Sequence, residues 1–131
     1  MIPRIQANWE RALEDLRVAR HILPMSPNTA ASRAYYAVFH AVTALFLLEN
    51  KTFATHKAVE IAVHRDLVKA GRWPAELGKL FSRISDYRGI GDYGQDERVS
   101  QEQGQEAVGG AAAMVAAVAA ERPDVFSLDE T

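Results

Sequence analysis

The chain has 131 residues, of which 48% are hydrophobic and 24% charged, a composition typical of a single soluble domain with its own core. It contains no cysteine, which excludes disulfides, thiolate metal sites and a cysteine nucleophile. The formal net charge of -2 argues against a broad basic surface for nucleic acid but leaves room for a local basic cleft.

Helical periodicity and proline signals predict the first two helices. Apolar residues recur three and four positions apart over residues 5–23, and Pro24 ends this amphipathic segment. Ser26 followed by Pro27 is typical of an N-cap with proline at the first helical position. The second helix runs over residues 27–48 and is apolar around most of its circumference, so we expect it to be central.

A third and a fourth helix follow from similar signals. Thr55 can cap the third helix, which ends at Gly71, and Pro74 opens the fourth. Glycines at positions 89, 91 and 94 each weaken a helix by roughly 1 kcal/mol. They predict a loose or bent end for the fourth helix.

Ser100 and Gln103 match a capping box for a last helix, which stops at residues 122–123. We assign residues 1–123 to one domain and residues 124–131 to a short acidic tail, which we expect to be poorly ordered. Three apolar residues of that tail could still dock on a neighbour: Val125, Phe126 and Leu128. With no segment of period two, the sequence predicts an all-α fold, an antiparallel bundle of four to five helices.

The most apolar stretch, residues 30–48, is interrupted by Arg33, two tyrosines and His40. A membrane span rarely carries this polarity, so the stretch indicates a buried helix and no membrane partner. The first residues lack the apolar core and cleavage site of a signal peptide. We therefore expect a cytoplasmic protein.

Polar side chains form a seam along the second helix. Arg33, Tyr36, His40 and Thr43 stand at i, i+3, i+7 and i+10, which places them on one face. Desolvating an arginine or a histidine is costly unless the group is paired. The seam therefore either bonds to a neighbouring helix or serves a ligand, and the spacing alone does not decide between the two.

Arg88 follows the apolar stripe of the fourth helix, and Asp92 lies four residues further on. This spacing allows an ion pair on one helix face. A guanidinium held by a carboxylate can orient a phosphate, and it can equally be a structural pair.

The four histidines raise the question of a metal site, but the Glu-x-x-His pairs of carboxylate-bridged bundles are missing. Neither a nucleophile elbow nor a strand followed by a glycine-rich phosphate loop occurs. The sequence therefore predicts no metal and no cofactor.

Three runs carry a family resemblance. They are residues 32–41 (SRAYYAVFHA), Thr55-His56 and Arg88-x-x-x-Asp92-Tyr93. Together they resemble a prokaryotic HEPN domain of the small stand-alone type. The resemblance covers residues 9–121, and the first run is the most specific of the three.

The resemblance implies a bundle of four or five helices that is commonly a homodimer. It also implies a toxin-like partner of a minimal nucleotidyltransferase, which acts as the antitoxin. Many HEPN domains are metal-independent endoribonucleases that use an arginine followed, after four to six residues, by a histidine. Attack by the ribose 2′-hydroxyl on the adjacent phosphate needs an acid/base group and a cation for the developing charge.

Arg88 matches the arginine of that motif, but Asp92 and Tyr93 stand in the histidine region, and no histidine follows His64. Enzymatic activity is therefore left open. The candidate catalytic residues are Arg88, His40 and His56, and the candidate binding residues are Arg33, Tyr36, Asp92 and Tyr93. By analogy with related toxins, Tyr93 is also a candidate acceptor for nucleotidylation.

Two hypotheses follow. In the first, a HEPN-type toxin or accessory protein binds or cleaves RNA, or binds a nucleotide, at a polar cleft around Arg33, His40 and Arg88. In the second, the chain is a non-catalytic helical module for interaction or dimerisation, and these residues form a buried structural network.

Overall fold

The computed structural model describes residues 2–128, and within that range it contains helices and no strand. The helices are α1 (Ile2–Ile22), α2 (Pro27–Leu48), α3 (His56–Ala62), α4 (Ala75–Tyr93) and α5 (Gln101–Glu121). A π-helical segment, Val63–Val68, continues α3. The fold is the predicted all-α bundle.

α2 is the central helix, because it packs against α1, α3, α4 and α5. The Ser26 hydroxyl accepts a hydrogen bond from the Thr29 backbone N–H at 3.2 Å, as the cap signal predicts. Within the described residues, this is the one helix long and apolar enough to cross a membrane, and 67% of that apolar window is buried inside the protein. Such burial is typical of the core helix of a soluble domain.

The other predicted caps are also confirmed. Thr55 Oγ1 accepts from the Ala58 backbone N–H at 3.0 Å. Ser100 and Gln103 exchange two bonds of 3.0 Å, which is the reciprocal capping box. The chain leaves the π-helical segment through Gly71, whose φ of 83° lies in the left-handed region that favours glycine.

α4 continues through Gly89 and Gly91 to Tyr93, and the chain leaves the helix at Gly94, the third of the glycines singled out in the sequence. Gly91 lies against the first turn of α2, where a Cβ atom would come within 2.7 Å of the Asn28 carbonyl oxygen. The Asn28 side chain in turn accepts a hydrogen bond of 2.7 Å from the Val99 backbone N–H. Close packing on α2 thus offsets the low helix propensity and fixes the end of α4.

Part of the C-terminal tail docks on the bundle. Phe126 is 2% exposed and lies 4.8 Å from the Trp9 ring, centre to centre. The indole N–H of Trp9 donates to the Ser127 carbonyl at 2.8 Å. The expectation of a poorly ordered tail is therefore wrong for these residues, while Leu128 stays exposed and residues 129–131 lie outside the described range.

Candidate functional site

A cleft of about 330 Å³ opens where α1, α2 and the start of α3 meet, with the end of α4 at its rim. The lining residues are Arg11, Asp15, Ser32, Arg33, Tyr36, Phe39, His40, His56 and Asp92. The fold thus brings together five of the seven candidate residues: Arg33, Tyr36, His40, His56 and Asp92.

An acidic side chain of α1 organises the polar groups in the cleft. Arg33 Nη1 donates to Asp15 Oδ1 at 3.2 Å. His40 Nε2 lies 3.9 Å from Asp15 Oδ2, and that oxygen is buried without a hydrogen-bond partner among the described residues. On the other side of the ring, His40 Nδ1 lies 3.1 Å from Asn8 Oδ1. Because an amide oxygen only accepts, this contact favours a proton on Nδ1 and leaves Nε2 facing the carboxyl group.

Burial controls the charge of this pair. It lowers the pKa of His40 to about 4, and the positive charges of Arg11, Arg33 and His56 act in the same direction. Burial also raises the pKa of Asp15, against the lowering effect of Arg33. At neutral pH the His40 imidazole is therefore uncharged, and the arginines supply the fixed positive charge of the cleft.

Aromatic rings form one wall of the cleft. The His56 ring lies 4.4 Å from the Phe39 ring and 5.9 Å from the Tyr36 ring, centre to centre. The Arg33 guanidinium lies 5.2 Å from the centre of the Tyr36 ring. Flat rings beside a guanidinium suit a ligand that is both planar and anionic.

Arg88 lies behind the cleft rather than in its wall. Its guanidinium carbon is 4.6 Å from the centre of the Tyr35 ring and 5.7 Å from that of Tyr36. Its Nη1 is 3.9 Å from Asp92 Oδ2, the pair that the spacing predicts, and its side chain is 15% exposed. The buried Nε has no hydrogen-bond partner among the described residues. Arg88 thus adds positive charge beneath Tyr36 and pairs with the carboxylate at the rim.

Two of the polar residues singled out in the sequence lie elsewhere. Tyr93 does not line the cleft, and it is 72% exposed with its ring centre 6.0 Å from the Arg88 guanidinium. Thr43, the last residue of the polar seam on α2, faces a neighbouring cavity.

Sequence reasoning missed Arg11 and Asp15, which line the cleft, and Asn8, which contacts His40. These three residues are spaced three and four apart on α1, beside its apolar stripe. That polar row was the available signal, but a solvated helix face gives the same pattern. The 4% exposure of Asp15 shows that part of this row faces α2 instead of water.

Cations and aromatic rings, rather than clustered metal ligands, characterise the site. Within the described part of the chain, no three histidine or carboxylate side chains converge closely enough to hold a metal ion. The groups that do converge can pair with an anion and stack on a ring.

Comparisons with known proteins agree with this architecture. The family model described as "HEPN domain" matches residues 5–121. A UPF0332 protein of Thermotoga maritima is 41% identical over 68 residues, which is 52% of each chain. The aligned region thus spans about half the length of that curated relative. Since the family model covers nearly the whole bundle, the chain belongs to the HEPN domain family.

Proposed function

We propose that this HEPN-domain protein binds a phosphate-bearing ribonucleotide, either RNA or a free nucleotide, in the cleft between α1 and α2. The observation that carries the proposal is the convergence of Arg11 and Arg33 with the rings of Tyr36, Phe39 and His56 on one opening. Guanidinium groups pair with phosphate, and aromatic rings stack on bases.

The hydrogen bonding of Arg33 supports a role in binding. Its described hydrogen bond, to Asp15, uses one of five N–H donors, and its side chain remains 35% exposed. A phosphate can therefore reach the remaining donors without breaking that pair. Arg11 is exposed at the mouth of the cleft and carries a second charge.

The electrostatics favour binding over fast cleavage. Cleavage needs a group to take the proton from the 2′-hydroxyl and a group to protonate the leaving 5′-oxygen. Neutral His40 can accept the first proton, but a pKa of about 4 makes it a weak base at pH 7. A metal-independent endoribonuclease built on His40, His56 and Arg88 is therefore expected to be slow, and binding is the function that we put first.

The proposal includes the partners that the family suggests. We place the protein in the cytoplasm as a toxin-like or accessory homodimer that works with a minimal nucleotidyltransferase. The exposure of Tyr93 supports the pairing with a nucleotidyltransferase, because a nucleotidyl group can reach an exposed phenol. Mass spectrometry after incubation with such an enzyme and a nucleotide tests it. A Tyr93→Phe variant that is still modified would contradict the assignment of the acceptor.

The binding experiment compares two exposed arginines of α1. Calorimetry with adenosine monophosphate (AMP) and with a single-stranded tetra-adenylate measures affinity for wild-type protein, Arg11→Ala and Arg20→Ala. We expect a loss of about tenfold for Arg11→Ala, since one charge-assisted contact is removed, and no change for Arg20→Ala. Absence of binding to both probes, or equal losses in the two variants, would contradict the proposal. Incubation with a longer RNA tests for cleavage in parallel.

A specific observation favours a second candidate, the interaction module with a structural polar network. The Arg88 side chain is largely buried against Tyr35 and Tyr36 and lies within 3.9 Å of Asp92. If this network only supports the fold, Arg88→Met lowers the free energy of unfolding by several kcal/mol and leaves nucleotide affinity unchanged in the protein that remains folded. A loss of affinity with near-normal stability assigns Arg88 to the ligand instead.

A further inference from the structure

A second cavity, of about 240 Å³, adjoins the cleft along the same two helices. We call it the Thr43 pocket. It shares Phe39 with the cleft, and its wall residue Asn8 contacts His40 of the cleft at 3.1 Å. The two openings therefore lie side by side along the seam between α1 and α2, which we call the groove.

We propose that the Thr43 pocket binds the base of a second nucleotide in a single strand of RNA, while the neighbouring phosphate occupies the cleft. This inference rests on the function proposed above, and it narrows the ligand from a mononucleotide to an oligonucleotide.

The first support is an unused polar atom. The hydroxyl oxygen of Thr43 is buried and has no hydrogen-bond partner among the described residues, although it lines the pocket. Burying a hydroxyl without a partner costs free energy, so a small movement of the Thr43 side chain that brings this oxygen to a hydrogen-bonding ligand is favourable. The edge of a nucleobase does both.

The second support is the aromatic surround. Phe39, Phe46 and Phe53 all line the pocket, and the last two rings lie 5.3 Å apart in an edge-to-face arrangement. Phe46 is only 1% exposed, so a flat base would stack on the partly exposed rings of Phe39 and Phe53. Such stacking does not depend on the identity of the base, which is how proteins hold single strands without reading sequence. A polar atom at the floor and rings at the sides thus match a planar ligand with a polar edge.

The third support is the charge along the groove. Arg4 lines the Thr43 pocket and Arg11 lines the cleft, seven residues apart on α1, which is roughly 10 Å along the helix. Lys51 also lines the pocket, although its ammonium group lies 3.8 Å from a carboxylate oxygen of Glu49 and 3.8 Å from one of Asp66. Successive positive charges beside stacking rings are expected for a chain of phosphates rather than for one phosphate.

Thr43→Val is the decisive variant, because valine keeps the shape of threonine and removes the hydroxyl. Calorimetry measures binding of AMP and of single-stranded tetra-adenylate, and thermal unfolding measures stability. We expect the variant to bind tetra-adenylate about fivefold more weakly, to bind AMP as wild type does, and to unfold at the same or a higher temperature. Phe53→Leu keeps an apolar side chain and removes a ring, so it should give the same two changes in affinity, with a lower unfolding temperature because the contact with Phe46 is lost.

The results separate this inference from the function on which it rests. If AMP binds and tetra-adenylate binds no tighter, the Thr43 pocket is not a second subsite, while the proposed function stands. Equal losses for AMP and tetra-adenylate in Thr43→Val also overturn the two-subsite arrangement. If neither probe binds wild-type protein, the proposed function fails and the inference fails with it.

The salt dependence of tetra-adenylate binding provides an independent measurement. Removing one phosphate contact to a single strand lowers the slope of log affinity against log salt by about 0.7. We expect that decrease for Arg4→Ala and none for Arg20→Ala, an exposed arginine of the same helix. An unchanged slope in Arg4→Ala would contradict a path for the strand over the Thr43 pocket.

Discussion

Two arginine clusters in this bundle show how a cation that holds the fold differs from one left for a ligand. Arg72 donates through all three guanidinium nitrogens to Glu49 and Glu121, at 2.5 to 3.3 Å, and ties the end of α5 to the segment after α2. In the cleft, Arg33 makes one hydrogen bond to the residues that the structure describes, to Asp15. Arg72 thus engages four of its five N–H donors and has one left for a ligand, whereas Arg33, with one described bond and a ring beside it, has four.

Removing the enclosed cation should have the largest effect on stability. Arg72→Met leaves Glu121 without its cation and leaves Glu49 with Lys51 alone, at 3.8 Å, so we expect a loss of about 2 kcal/mol in the free energy of unfolding. Nucleotide affinity should not change. Urea denaturation and calorimetry measure the two quantities.

Arg65→Met is the control for Arg72→Met. Arg65 pairs with the adjacent Asp66 at the surface, so the Arg65→Met variant should have the same free energy of unfolding as the wild type. If Arg72→Met lost nucleotide affinity and kept its stability, Arg72 would be a ligand-binding residue rather than a structural one, and the contrast with Arg33 would be wrong.

The cleft should respond to pH more than the Arg72 cluster does. The pKa of His40 is about 4 in the folded protein and about 6.5 in the unfolded chain, so the unfolded chain binds more protons between these values. Stability is therefore lost as the pH falls from 6.5 towards 4. The raised pKa of Asp15 acts in the opposite direction, and we expect a net loss of about 1 to 2 kcal/mol between pH 7 and pH 5.

Urea denaturation of His40→Gln at both pH values checks this assignment. Glutamine can still contact Asn8 and does not titrate, so the variant should lose less stability on acidification than wild type. If the two proteins lose equal amounts, another group is responsible for the pH dependence.

A matched pair of glycine variants tests how the end of α4 holds Asp92 at the rim of the cleft. The Cβ of Gly91→Ala would meet the Asn28 carbonyl at 2.7 Å, whereas that of Gly89→Ala meets no atom of the described residues within 4 Å. We expect Gly91→Ala to lose roughly 1 kcal/mol of stability and Gly89→Ala to gain about 0.5 kcal/mol from helix propensity. Thermal unfolding measures both, and a gain in both variants would show that α4 does not depend on close contact with α2.

The smallest expected effect concerns competition inside the cleft. Asp15 holds Arg33 and repels a phosphate, so Asp15→Asn should raise the affinity for AMP about threefold. Calorimetry at constant salt measures the change. A lower affinity would mean that the Asp15 carboxyl group itself contacts the ligand.

The starts of the helices could be predicted from the sequence, because the signals that determine them are local. Ser26, Thr55 and Ser100 cap helices that begin where the sequence predicts, since a cap depends on residues within one turn. Gly91 lowers the helix propensity of α4, but its lack of a side chain also allows the close contact with Asn28, which is distant in the sequence. Propensity describes the isolated helix, and packing decides the outcome here.

The candidate site is predictable only in part, for the same reason. Arg33, Tyr36 and His40 stand out because they interrupt an apolar helix. Asp15 lies in an ordinary-looking polar row, and its importance depends on how α1 is rotated against α2. Likewise, the sequence places Thr43 on the same seam as His40, but only the three-dimensional arrangement separates the two residues into adjoining cavities.

The docking of the tail gives this protein a built-in optical reporter. The chain has two tryptophans. Trp9 packs against Phe126 and donates a hydrogen bond to the Ser127 carbonyl. Trp73 is buried elsewhere, and its indole N–H has no hydrogen-bond partner among the described residues. Release of the tail would expose the Trp9 indole to solvent and leave Trp73 buried. The emission spectrum of a Trp73→Phe protein would therefore record the attachment of residues 126–127 to α1 in real time, without any added label.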